Sequence, residues 1–82
     1  MVKLKTLAPN QTIVYDDIGA TLFSYDTPIC SRDYSSKIIL YPAWRYSATT
    51  SKYRSQFLNG ETTRETQRKL DVNTYTLRNT YA

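Results

Sequence analysis

The sequence predicts an α+β domain: a small, largely antiparallel sheet of about four to five strands with two short helices on one side. Three observations carry that prediction. The first half alternates β-branched and aromatic segments with clusters of Pro, Asn, Asp and Gly. Beyond Pro42 the character changes to hydroxyl-rich starts followed by helical periodicity, twice over, before a last strand-like segment. The chain has 82 residues, which supports one core, so residues 1–82 read as a single domain.

Taken in order, residues 1–11 form a leading segment with an edge strand at Val2–Leu7, stopped by Pro9 and Asn10. Thr12-Ile13-Val14-Tyr15 reads as a strand, and Asp16-Asp17-Ile18-Gly19 as a hairpin turn in which Gly19 is free to take positive φ. Ala20 to Tyr25 returns as a second strand. Each of its faces carries one large apolar residue, Leu22 or Phe23, so the alternation leaves open which one is inside. Asp26-Thr27-Pro28 is a turn, and Ile29-Cys30-Ser31 begins a third strand that Asp33-Tyr34-Ser35-Ser36 breaks. Lys37-Ile38-Ile39-Leu40-Tyr41, the most apolar run, is expected to be the central strand.

Ser47-Ala48-Thr49-Thr50 offers N-cap oxygens to a helix over about 51–58, closed by Asn59-Gly60. In that frame Tyr53, Phe57 and Leu58 pack on the sheet, while Lys52, Arg54 and Gln56 face outward. Thr62-Thr63-Arg64-Glu65 holds the T-x-x-E capping-box pattern for a second helix over about 63–70, with Glu65–Lys69 as an i,i+4 ion pair. It carries too little apolar surface to seat as a recognition helix. Asp71-Val72-Asn73 is a turn and Tyr75-Thr76-Leu77-Arg78 a final strand.

Composition limits the chemistry. Histidine is absent and Cys30 is the one cysteine. That removes internal disulfides, Ser-His and Cys-His nucleophile pairs, Cys/His zinc sites and the usual near-neutral proton shuttle. Asp16 and Asp17 are explained by their turn, and Cys30 reads as a small buried hydrophobe. No enzyme activity, cofactor or metal is expected. No apolar run reaches the roughly 18 residues of a membrane span, and the N-terminus lacks a signal-peptide core, so a soluble, cytoplasmic protein is expected.

Charge is unevenly placed. Residues 1–30 are net −1, with Lys3 and Lys5 against Asp16, Asp17 and Asp26. Residues 31–82 are net +5, with nine cations against Asp33, Glu61, Glu65 and Asp71. A basic half points to a polyanion or an acidic protein surface as partner. The expected contacts are Trp44, Arg45, Tyr46, Lys52, Arg54, Arg64, Arg68 and Lys69, with Thr49, Thr50 and Ser51 receiving an anion at a helix N-terminus. The same residues also fit ordinary capping, a core tryptophan and solvated cations. Binding to nucleic acid is the leading expectation; an inhibitor or adaptor docking on another protein is the alternative. Exposed strand edges leave homodimerisation open.

Two segments support a resemblance: Ser24-Tyr25-Asp26-Thr27-Pro28-Ile29, and Tyr46-Ser47-Ala48-Thr49-Thr50-Ser51-Lys52 leading to Phe57-Leu58. Together they resemble a group of small uncharacterised proteins of bacteriophages and other mobile elements with the pattern S-Y-x-T-x-I and Y-S-x-T-T-x-K-H…F-L. The likeness spans roughly residues 20–58. Tyr53 stands where that pattern has histidine, so no histidine role carries over. The resemblance implies a phage accessory protein working in the bacterial host cytoplasm, so the protein partner of the alternative expectation is a host or phage protein, and a minor virion or assembly component is a third class; it implies no activity.

Overall fold

The computed structural model describes residues 3–17 and 19–79. Val2 and Ile18, named above in the leading strand and the first turn, lie outside the described residues. The strands are β1 (Lys3–Ala8), β2 (Gln11–Tyr15), β3 (Gly19–Ser24), β4 (Thr27–Asp33), β5 (Ile38–Leu40) and β6 (Thr76–Leu77). Between β5 and β6 come α1 (Ala48–Phe57) and α2 (Thr63–Asp71). The fold class is α+β as expected, but the sheet has six strands rather than four to five, in the order β1-β2-β3-β4-β5-β6. Neighbours are antiparallel except β5 and β6, which are parallel. A parallel pair needs a long crossover, and the two helices supply it.

Register builds the core. Ile13, Leu22, Cys30, Leu40 and Leu77 lie opposite one another across β2 to β6. The first four are buried with Ile29, Ile38, Trp44, Phe57 and Leu58 in one cluster, with Tyr53 and Leu70 packed against it. This decides the face that alternation left open. Leu22 points into the core, while Phe23 is half-buried on the reverse face. That reverse face carries hydroxyls: Thr21 Oγ1 and Ser31 Oγ are 2.7 Å apart, and Ser31 Oγ lies 3.1 Å from the Tyr41 hydroxyl.

Three local readings change. Thr27 and Pro28 belong to β4, because the turn is confined to Tyr25 and Asp26. Pro28 is tolerated because β4 carries a bulge there: Leu22 pairs with Cys30 but Phe23 with Pro28. The bulge is why consecutive residues Ile29 and Cys30 are both fully buried. The apolar run expected to be central is β5, the penultimate strand, with only β6 beyond it. Its Ile39 is half-buried on the reverse face, so the run is not covered on both sides. The central strands are β3 and β4, whose hydroxyl-bearing reverse faces dilute their apolar signal.

Gly19 is required for close approach, not for positive φ. A Cβ there would stand 2.1 Å from the Arg32 carbonyl oxygen and 2.7 Å from Asp33 Cα. The hairpin turn itself is held by Asp16, whose Oδ1 accepts from Gly19 N at 3.1 Å. Gly19→Ala is therefore expected to lower stability by about 2 kcal/mol or more, because paired backbone cannot step aside. A urea midpoint measures this; an unchanged midpoint contradicts the close β3–β4 approach.

Candidate binding surface

Helix α1 starts earlier than its sequence suggests. Ser47 is the N-cap, with φ −152° and ψ 169°, and its Oγ accepts from Thr50 N at 3.1 Å. Ser47, Thr49, Thr50 and Ser51 each offer a capping oxygen to the eye; the first of them is used. Thr49, Thr50 and Ser51 therefore lie within the first turn instead of before it. Thr50 and Ser51 give their backbone N–H groups to Ser47, and Thr50 is buried with its hydroxyl 3.3 Å from Ser24 Oγ. Of the three residues expected to receive an anion, Thr50 and Ser51 already have their N–H groups engaged by Ser47, and Thr49 is exposed.

Contacts with the rest of the fold set which side of the helix faces inward. Thr50, Arg54 and Phe57 face inward, whereas Ala48, Thr49, Lys52 and Gln56 are exposed. Arg54, expected to face outward, is 1% exposed. Its guanidinium donates to the Trp44 carbonyl at 2.9 Å, to Thr63 Oγ1 at 2.6 Å and to Ser51 Oγ at 3.5 Å. It lies 5.0 Å from the centroid of the Trp44 ring, and its buried Nε has no partner. Burial draws the Arg54 pKa below the usual arginine value, while Cys30 and Glu61 pull the other way. Trp44 is buried in the core cluster. Neither Trp44 nor Arg54 is a surface contact.

At the end of each helix an asparagine takes the left-handed conformation, Asn59 with φ 61° and Asn73 with φ 62°. Each forms a Schellman pair. Gly60 N reaches Ser55 O at 2.7 Å and Asn59 N reaches Gln56 O at 3.2 Å; Thr74 N and Asn73 N repeat this on Lys69 O and Leu70 O. The T-x-x-E pattern closes as a capping box, Glu65 N on Thr62 Oγ1 and Thr62 N on Glu65 Oε1, both at 3.1 Å.

That box occupies Glu65, so the expected Glu65–Lys69 pair does not form. Lys69 Nζ instead meets Glu61 Oε2 at 2.7 Å. Glu61 also accepts from the Tyr75 hydroxyl and from Thr66 Oγ1, each at 2.7 Å. Burial pushes the Glu61 carboxyl up, but the hydrogen bonds from Lys69, Tyr75 and Thr66 overcome this and hold it below the ordinary glutamate value. Lys69 is raised, chiefly by its bond to Glu61. Tyr75 is raised by burial and by the same carboxylate. This network ties the α1–α2 connection to α2 and to the lead-in of β6. It borders a depression of about 630 Å³ that also takes in Arg32 and Ile38. Its buried carboxylate is fully engaged.

Five of the expected contact residues remain on the outside: Arg45, Tyr46, Lys52, Arg64 and Arg68 are exposed. Arg45 lies over the Trp44 ring at 5.3 Å, and Lys52 Nζ over Tyr53 at 5.4 Å. Lys52 sits on the exposed α1 stripe, and Arg64 and Arg68 are one turn apart on the outer side of α2. A groove of about 690 Å³ is lined by Tyr46 together with Ser24, Tyr25, Thr27, Ile29 and Ala43. Sequence reasoning did not place Tyr25 in a site. The signal was there: the two segments that carried the resemblance, 24–29 and 46–52, meet at this groove.

Among the described residues no cluster of three or more His, Cys, Asp or Glu side chains is placed to hold a metal ion. Cys30 is fully buried; burial pushes its thiol up to about 12, against the nearby Arg54 and Arg32. No helix among the described residues is long and apolar enough to cross a membrane.

The architecture is that of a hairpin sheet carrying two capped helices whose outer side is cationic. By sequence the chain belongs to a family of unknown function, DUF8033, which matches residues 2–73. No curated protein and no solved structure matches it.

The Glu61 network has a testable pH signature. An ordinary glutamate titrates near 4.5, and the folded value lies below that. The stability contributed by Glu61 is therefore complete above the unfolded value and is lost as pH falls through the folded one. Urea midpoints should show wild type more stable than Glu61→Gln above the ordinary glutamate value, with the gap closing as pH falls progressively below it. A constant gap across that range would contradict the network.

Proposed function

We propose that this chain is a small non-enzymatic accessory protein that binds nucleic acid through the outer side of its helical layer. Arg45, Lys52, Arg64 and Arg68 contact phosphates, and Tyr46 lies beside them. Lys69 contributes less than its charge suggests, because Glu61 holds it. The observation that carries the reading is the placement of these four cations. They are exposed, on or next to two helices, in the half of the chain with net charge +5. The carboxylates of that layer are turned to local work: Glu65 closes its capping box, and Asp71 Oδ1 accepts from Gln67 Nε2 at 2.9 Å. Catalysis has little support, since Cys30 is a sealed thiol and the Glu61 carboxylate is engaged by Lys69, Tyr75 and Thr66. The phage origin that the resemblance implies puts this activity in the cytoplasm of a bacterial host.

Phosphate contacts make affinity fall steeply with salt. Wild-type protein should bind oligonucleotides at about 50 mM salt. Replacing both Arg64 and Arg68 with glutamine should weaken binding and reduce the slope of log K against log salt by roughly 2, about 1 per lost contact. Absence of DNA and RNA binding, together with a stoichiometric protein partner that survives nuclease in a pull-down, would favour the inhibitor or adaptor reading instead.

A further inference from the structure

The Tyr25–Tyr46 groove does nothing for the fold. Tyr25 is 71% exposed and Tyr46 is 79% exposed, so neither ring contributes to the core. Both nevertheless line one depression, whose apolar part is formed by Ile29 and Ala43. Its Ser24 wall is fixed from behind. Gln11 Nε2 donates to Ser24 Oγ at 2.9 Å, and Thr50 Oγ1 donates to the same oxygen at 3.3 Å.

Tyr25 is also held at a cost. It opens the two-residue β3–β4 turn with φ 57°, a left-handed conformation that Asn, Asp or Gly adopts readily and a bulky aromatic does not. A turn that had only to join two strands would be better served by asparagine. Strained residues of this kind persist where the side chain has another use.

The surroundings select the occupant. Tyr46 follows Arg45 directly and precedes the N-cap of α1, whose first turn holds no acidic residue. Asp26, beside Tyr25, is the acid next to the groove in sequence. Exposed aromatic rings lining one depression, with the exposed Arg45 next to Tyr46 in the chain, match a nucleobase joined to a phosphate backbone. In a duplex the base faces are stacked and out of reach, so rings standing proud of the surface would have nothing to stack on. We infer that the groove seats an unstacked base, and that this protein prefers single-stranded nucleic acid to duplex. This rests on the cationic-surface reading above and adds to it the form of the nucleic acid and the place of the base.

Fluorescence anisotropy with a labelled oligothymidylate of about 12 nucleotides, and with the same strand annealed to its complement, tests it. The single strand should bind at least about tenfold tighter than the duplex, and Tyr46→Ala should weaken it by roughly 5- to 100-fold, as expected for loss of one stacked base. Tyr25→Asn relaxes the turn but removes the ring. It should melt at the same or a higher temperature while binding more weakly, a combination that a purely structural tyrosine would not give. If the oligonucleotide binds with the expected salt dependence but the tyrosine variants match wild type, or duplex is preferred, the base seat is overturned and the cationic surface stands. If wild type binds neither form, both are overturned.

Discussion

A buried guanidinium without a carboxylate partner organises the helical half of this protein. Arg54 is enclosed, yet every oxygen it reaches is neutral: the Trp44 carbonyl, Thr63 Oγ1 and Ser51 Oγ. Burying such a charge costs several kcal/mol unless its donors are used. The three acceptors belong to three different pieces of chain, the segment after β5, α1 itself and the start of α2. Satisfying Arg54 therefore fixes where all three lie. The Trp44 ring adds a cation–π contact, and Arg45 lies over the same ring as an exposed counterpart.

The orientation of Arg54 decides what the helices present to solvent. With Thr50, Arg54 and Phe57 inward, Lys52 is turned out, and Thr63 is held where α2 begins. Arg64 and Arg68 then point away from the sheet. The sheet contributes a rigid base through its cross-strand core row and the tight β3–β4 approach at Gly19. Its β3–β4 turn brings Tyr25 to the groove that Tyr46 shares. Interior packing and the proposed binding surface are thus two consequences of one arrangement.

Much of this could be read before the structure. The first hairpin, the capping box at Thr62–Glu65 and the Asn59-Gly60 helix stop each rest on local chemistry, and local chemistry is what a sequence displays. What escaped depended on choices among local equals or on distant contacts. Ser47 won over Thr49 and Thr50 as the N-cap, and distant partners, the Trp44 carbonyl and Thr63 Oγ1, took Arg54 from surface to core. Lys69 found Glu61 because Glu65 was already engaged. The apolarity of Ile38-Ile39-Leu40 suggested a central strand, whereas the central β3 and β4 hide behind hydroxyls on their reverse face. Tyr25 looked like an ordinary strand end, and nothing local shows that it opens a turn in a left-handed conformation. Membership of DUF8033, a family of unknown function, is consistent with an uncharacterised family and carries neither the phage origin nor the motifs of the resemblance.

The most direct test of this account separates the two roles first given to Arg54, interior tie and phosphate contact. Arg54→Lys keeps the charge but cannot reach three acceptors in a planar fork. The account predicts a loss of about 2–4 kcal/mol in urea unfolding, with the folded variant at low temperature binding the single-stranded oligonucleotide as tightly as wild type. A variant of unchanged stability that binds the oligonucleotide poorly would contradict it, returning Arg54 to the surface.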